Sequence, residues 1–356
     1  MDTLLDRTVR PRAFWHKLET HLPRRGLEQA DSVRGTDFYR TVWGEAAATL
    51  DMSVADIGGQ FFEIRCPGLV LRVCKNITSL DDEVTVAIAA NKPLVHRLLA
   101  ERGVPVPAHL ACGYRNVAAA WAFVSRRGRP CVVKPAEGTG GGTGITMDVS
   151  TKNGLVAAMG RAGSYCRDLV VEEQIPGDNY RLLYLDGTLI EALKRRPPRL
   201  LGDGTSTVRG LIAAHITRGA DASPAGRTSG HSDRRIRRLL AQTGRVPDDV
   251  PAAGEPLRLR RVIDMDDRQD NESVTASVCA AIVDAGAAAA AAVGIRLAGV
   301  DVITPDRSVA LDDAGGAVIE VNTGPGLHYH YMTAGEPTPV ASLILRQLRD
   351  TAARPT

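Results

Sequence analysis

Aromatic residues are scarce in this chain, with five Phe, three Trp and seven Tyr among 356 positions, so a surface that stacks nucleic-acid bases in series is not expected. A charge excess of either sign is also lacking: 44 basic side chains face 41 acidic ones, which predicts neither a nucleic-acid partner nor membrane adsorption. No apolar run is long enough to span a bilayer, because the most apolar stretch, residues 278 to 293, is short and carries Asp284. Residues 1 to 30 are charged and hold no continuous apolar core, so no signal peptide is expected and a cytoplasmic location is predicted. The six cysteines, at 66, 74, 112, 131, 166 and 279, form no Cys-x-x-Cys pair and mostly sit in apolar runs, as reduced core thiols do. Neither Gly-x-x-x-x-Gly-Lys-Ser/Thr nor Gly-x-Gly-x-x-Gly occurs in the glycine-rich loop at 137 to 144, which removes a P-loop and a dinucleotide fingerprint.

What is present is 44% hydrophobic residues, enough for a sizeable core, in a length that predicts two or three lobes. Residues 1 to 30, basic and punctuated by proline, read as a helix or an arm. Apolar alternation over 61 to 65 and 69 to 75, broken at Cys66-Pro67-Gly68, predicts a hairpin within a small lobe at 31 to 89. Residues 91 to 103 have helical spacing, with Pro93 in the first turn and Gly103 at the end. Short strands are expected at 130 to 135 and 168 to 175, and a hairpin over 180 to 194 that turns at Asp186-Gly187. Segments 206 to 218 and 234 to 242 read as helical, 219 to 233 as a loop, 255 to 263 as extended, and 274 to 293 as a long Ala-rich helix. Strands and helices mix without regular βαβ alternation, so the expected class is α+β.

The chemistry concentrates at the end of an apolar segment that reads Val-Ile-Glu320-Val-Asn322-Thr-Gly-Pro-Gly326. Residues i and i+2 of a strand share a face, so Glu320 and Asn322 offer hard oxygens on one side, the ligand type that Mg²⁺ selects. Asp301, inside the apolar run 297 to 303, is a third oxygen donor whose burial is costly unless it meets a cation. The loop at 137 to 144 has five glycines in eight residues and follows a strand ending in Lys134. Backbone amides unobstructed by side chains can close over phosphates, with that lysine as a point charge. His328 and His330, which follow the Glu320 segment, stand at i and i+2 but lack a third ligand for zinc; they read either as lining a substrate pocket or as packing.

With these motifs in order, the chain resembles the ATP-grasp carboxylate-amine ligases, a group that includes glutathione synthetase and D-alanine:D-alanine ligase. The resemblance covers about residues 90 to 332, through Lys92, Val-Val-Lys134-Pro, Val-Val-Glu172-Glu-Gln-Ile175-Pro-Gly, Asp301 and Glu320-Val-Asn322-Thr-Gly-Pro-Gly. It is stronger to the ATP-grasp module of cyanophycin synthetase, through 175 to 183, 201 to 207 and 250 to 260. The resemblance implies an ATP-grasp fold of two α+β lobes, with residues 90 to 168 as one subdomain, 169 to 335 as the other and 336 to 356 as a C-terminal helix or tail. It also implies that Lys92, Lys134 and the loop at Gly140, Gly141 and Gly142 bind ATP phosphates. Glu172, Glu173 and Ile175 would hold the adenine, and Asn179 stands where relatives place an acidic ribose ligand. Asp301, Glu320 and Asn322 would bind Mg²⁺, normally two ions, with Mn²⁺ as an alternative. Arg195 and Arg260 match positions that face the transferred phosphate and the tetrahedral intermediate, while Arg181, Gly326, His328 and His330 would contact the substrate.

The implied activity is an amide bond between an amino acid or peptide carboxylate and an amino acid's amine, formed through an acyl phosphate with release of ADP and phosphate. A thiol or hydroxyl acceptor and a nucleotide-binding regulatory pseudoenzyme are the alternatives. Small-molecule amino acids or peptides are the expected partners, with no nucleic acid and no membrane, and a homodimer is allowed because dimers are common among relatives. Segment 264 to 270 replaces a glycine-rich stretch of cyanophycin synthetase, and the chain ends before that enzyme's P-loop domain, so a different product is expected.

Overall fold

The computed structural model describes residues 25–139, 142–196, 199–212, 214, 246–258, 271–333 and 335–352. Internal contacts divide the chain into two compact units that alternate along the sequence, the first from Leu80–Lys194 and Val274–Pro325, the second from the described parts of 24–79, 195–273 and 326–356.

The first unit contains two antiparallel sheets. One has the strand order His109–Gly113, Asp168–Glu173, Cys131–Pro135, Thr146–Val149. Helices Val117–Arg127 and Lys152–Ala162 cover one of its faces, where Cys131, Val133, Leu169 and Val171 pack with Leu155 and Met159. Four strands of the other sheet run in the order Thr188–Arg195, Asp178–Leu185, Leu297–Thr304, Ala317–Thr323. Leu182, Tyr184, Val300 and Val321 form its covered face, against Val95 and Leu99 of helix Lys92–Glu101 and Ile282 and Ala289 of helix Ala280–Val293. The turn between Asp178–Leu185 and Thr188–Arg195 has positive φ at both Asp186 and Gly187, the conformation that an Asp-Gly hairpin turn requires. Asn91 caps helix Lys92–Glu101 through its side-chain oxygen on the Leu94 N–H, and Gly103 beyond it has φ +69°.

Two expectations need adjustment. The Ala-rich helix begins at Ala280 rather than 274, because Val274 donates its N–H to Ala192 O and Thr275 Oγ1 accepts the Ala192 N–H, which holds 274 to 278 against the neighbouring strand. Strands His109–Gly113 and Thr146–Val149 and helices Val117–Arg127 and Lys152–Ala162 lie where no element is expected from residue pattern. Of the helix expected at 206 to 218, residues 208 to 212 are helical; the rest, with 234 to 242 and 259 to 263, falls almost wholly outside the described residues.

In the second unit, helices Arg25–Ala48 and Val340–Ala352 pack together beside a four-stranded antiparallel sheet of Ser53–Gly58, Phe61–Cys66, Leu69–Cys74 and Ile77–Thr78. The hairpin expected at 61 to 75 is the centre of that sheet. Trp43 is fully buried and donates its Nε1–H to Lys75 O. All six cysteines are free thiols, and only Cys131 is fully buried. Among the described residues no helix is long and apolar enough to cross a membrane.

Gly286, in the middle of helix Ala280–Val293, tests which of two opposed effects wins. Alanine there gains about 1 kcal/mol of helix propensity. An added Cβ, however, would stand 2.2 Å from the hydroxyl of fully buried Tyr184, whose O–H donates to Val283 O. Overpacking of a rigid buried ring costs about 1–3 kcal/mol. Gly286→Ala is therefore expected to lower the midpoint of urea unfolding, and a raised midpoint would contradict this packing.

Candidate functional site

The face of the first sheet away from its helices carries charge. Strand alternation puts Lys134 and Val132 on that face of Cys131–Pro135, and Glu172 and Val170 on that face of Asp168–Glu173. Lys134 Nζ lies 2.8 Å from Glu172 Oε2, and both side chains are almost fully buried. Glu173 points to the opposite face, where it reaches Arg127 and Arg129, and its N–H is taken by Ala108 O. The structure thus brings Lys134 and Glu172 together and sets Glu173 apart. Beyond them Gln174 is tied to Asp148 by two hydrogen bonds, and Ile175 is half-buried. Gly177, which follows, has φ +120° and leaves no room for a Cβ, which would lie 2.2 Å from the Thr304 carbonyl carbon.

On the second sheet, Arg181, Asp301 and Glu320 are direct partners across three adjacent strands, so they form one row on the face opposite the core. Asn322 stands two residues from Glu320 on that face and Asn179 two residues from Arg181, as the i and i+2 spacing predicts. Asp301 meets its cation, but the cation is Arg181, whose Nε and Nη2 donate to the two carboxylate oxygens at 2.5 and 3.1 Å. Asn322 Nδ2 donates to Gly299 O at 3.1 Å, so the amide nitrogen is engaged by the backbone and the oxygen is the atom it can offer on this face. Glu320 is about a third exposed, and its Oε1 is 3.2 Å from Lys92 Nζ. Lys92 is also fixed through its N–H, which donates to Ala136 O at the foot of the glycine loop.

His96 was not singled out in the sequence and is central here. It shares one helix face with Lys92, Val95 and Leu99, all buried. Its Nε2 is 3.2 Å from Ile319 O and 4.0 Å from Glu172 Oε2, and its ring makes an edge contact with His109 at 4.7 Å between centroids. Burial, reinforced by the positive charge of Lys134, pushes its pKa from 6.5 down to about 3, so it is neutral at ordinary pH. The available signal was its position four residues after Lys92, a polar ring on an otherwise apolar stripe.

Of the remaining expected residues, Gly142 has φ +74° and Gly144 φ +81°, conformations that favour glycine, whereas Gly140, Gly141 and Arg260 lie outside the described residues. Arg195, Gly326, His328 and His330 belong to the second unit. There His328 Nδ1 is 2.9 Å from the hydroxyl of buried Tyr39, and a Cβ on Gly326 would lie 2.7 Å from the His328 ring. His330 and Arg195 are buried.

No protein-family model matches the chain. It is 30% identical to a cyanophycin synthetase of Geminocystis herdmanii over 269 residues, 74% of this chain and 30% of that protein. It is also 30% identical to a glutathione biosynthesis bifunctional protein of Streptococcus mutans, over 93% of this chain and 48% of that one. Among solved structures, a bifunctional glutathione synthetase from Pasteurella multocida superposes with a TM-score of 0.57 at 22% identity, over 86% of this chain and 44% of that one. The chain has the ATP-grasp fold, of α+β class, and its sequence is similar to a cyanophycin synthetase and to a bifunctional glutathione biosynthesis protein. It spans between 30% and 48% of the length of these relatives.

A histidine whose pKa is lower in the folded than in the unfolded chain contributes stability that is complete above the unfolded value, near 6.5, and is lost as pH falls toward 3. Between pH 6.5 and 4.5 the expected loss from His96 is about 2 kcal/mol. His96→Gln should remove this component, read as a flatter slope of unfolding free energy against pH; an unchanged slope would show that His96 is not the titrating group.

Proposed function

We propose that this chain is an ATP-dependent ligase that joins an amino acid or peptide carboxylate to an amino acid's amine, with residues 90 to 168 and 169 to 335 as the two ATP-grasp subdomains. The observation that carries this reading is that Lys92 is tied at once to Glu320 of the oxygen-rich row and to Ala136 at the foot of the glycine loop. Phosphate-binding parts and cation-binding parts then belong to one site. The relatives' names, a cyanophycin synthetase and a glutathione biosynthesis protein, support amide-forming chemistry on amino acids.

The side chains fit ATP with Mg²⁺ or Mn²⁺. Glu320 and Asn322 supply hard oxygens, Asp301 stands beside them already matched by Arg181, and two ions are the number we propose by likeness to the family. The metal, when bound, neutralises phosphate charge. Lys134 and Lys92 hold the phosphates as point charges, Glu172 and the backbone at Ile175 face the adenine, and the loop around Gly142 covers the phosphates from water. The acid's carboxylate attacks the γ-phosphorus, ADP leaves, and the amine displaces phosphate from the acyl phosphate. By likeness to the family alone, Arg260 and Arg195 are assigned to the transferred phosphate and the tetrahedral intermediate, and Arg181, Gly326, His328 and His330 to the substrate.

The test supplies acids and amines singly and in pairs and follows ADP and phosphate, with products read by mass spectrometry. Release is expected only when both partners are present, and Glu320→Ala is expected to lower kcat/KM about 100-fold. Amide product at undiminished rate in Glu320→Ala would sink the metal assignment. Product only with a thiol or hydroxyl acceptor, with hydroxylamine as the trap for an acyl phosphate, would replace the amine in this reading.

A further inference from the structure

The strand pair that carries the oxygen-rich row is irregular at one residue. Asp301 faces Glu320, but the next residue, Val302, faces Val318, so Ile319 is passed over as a β-bulge. The bulge has a consequence for the site. Counting from core residue Val321, plain alternation would put Val318 on the polar face beside Glu320; with Ile319 passed over, Val318 returns to the core while Glu320 and Asn322 stay on the polar face.

A bulged residue has no partner across the ladder, and its carbonyl must find one elsewhere. That partner is His96 Nε2, 3.2 Å from Ile319 O. A carbonyl oxygen only accepts, so Nε2 carries the hydrogen and the ring is the Nε2–H tautomer. The same nitrogen faces Glu172 Oε2 at 4.0 Å, beside the Lys134 pair, and the ring is packed against His109, whose Nδ1 lies 3.0 Å from Pro107 O. One buried ring therefore touches the bulge beside Glu320 and the carboxylate that pairs with Lys134.

We infer that His96 is a positioning residue for nucleotide binding: it holds the Ile319 bulge that aims Glu320, and registers that strand against the Lys134–Glu172 pair. The inference rests on the ATP-binding reading above. His96 itself touches no substrate. Its two functions, ring volume and N–H donation, separate in two substitutions. His96→Phe keeps the ring and has no donor. His96→Gln has no ring, and its amide nitrogen reaches about as far along the side chain as Nε2 does.

The experiment measures ATP binding by calorimetry in the presence of Mg²⁺, with thermal unfolding of each variant alongside. His96→Phe is expected to bind ATP about tenfold more weakly than the unaltered chain, the effect of one lost buried hydrogen bond, and His96→Gln within about threefold of it. If the unaltered chain binds ATP and His96→Phe binds it equally well, or His96→Gln binds as weakly as His96→Phe, the positioning role is overturned and the ATP reading stands. If the unaltered chain fails to bind ATP, both fall. Should His96→Phe not fold, His96→Gln decides alone, since a tenfold loss there would overturn the inference.

Discussion

The buried pair of Lys134 and Glu172 is the constraint around which the first unit is arranged. Two charges removed from water lose more hydration energy than a loose contact returns, so such a pair persists only where geometry fixes it and neither partner can relax toward solvent. The strand pairing supplies that geometry. Lys134 faces Val170 across the ladder and Glu172 faces Val132, so the two charged side chains are diagonal neighbours on one face, flanked by two valines. The opposite face of the same strands is closed by helices, which leaves the pair one direction in which to act. Helix Lys92–Glu101 then brings a neutral histidine, not a second charged group, next to Glu172. A protonated ring there would compete with Lys134 for the carboxylate, and burial together with Lys134 itself prevents it.

Much of this was legible because strand periodicity is short. Glu320 and Asn322 were placed on one face by spacing alone, and the Asp186-Gly187 turn by its residue types, and both readings depend on no distant contact. Asp301 shows the limit. The cost of burying its carboxylate correctly demanded a cation, but the nearest one is Arg181, on a strand 120 positions away in sequence, and only the pairing of Leu297–Thr304 with Asp178–Leu185 places it there. Glu172 and Glu173 show a second limit, because adjacent residues of a strand face opposite ways and the sequence does not say which face is covered. The Ile319 bulge has no local signature at all: Val-Ile-Glu-Val reads as an unbroken strand, and the irregularity appears only when its partner strand is counted against it. His96 was missed for the same reason, since its role is defined by a carbonyl 223 positions away.

The charges of the site also argue for what it must recruit. Lys92 pairs with Glu320, Lys134 with Glu172 and Arg181 with Asp301, so three cations are matched by three carboxylates. These six side chains carry no net charge, and His96 beside them is neutral. If ATP binds as proposed, its triphosphate is not neutralised by the lysines alone, because each already answers a carboxylate and the phosphate would share it. On the proposed reading that deficit is what a divalent cation would supply, and the carboxylate best placed to bind one is Glu320, the only one of the three that is substantially exposed. On the proposed ATP reading, a cation bound by Glu320 would free Lys92 toward the phosphates without leaving a buried carboxylate unpaired. On that reading the pairing of Lys92 with Glu320 would be the arrangement that ligand binding exchanges, whereas the deeper Lys134–Glu172 pair, with both side chains out of water, would stay fixed.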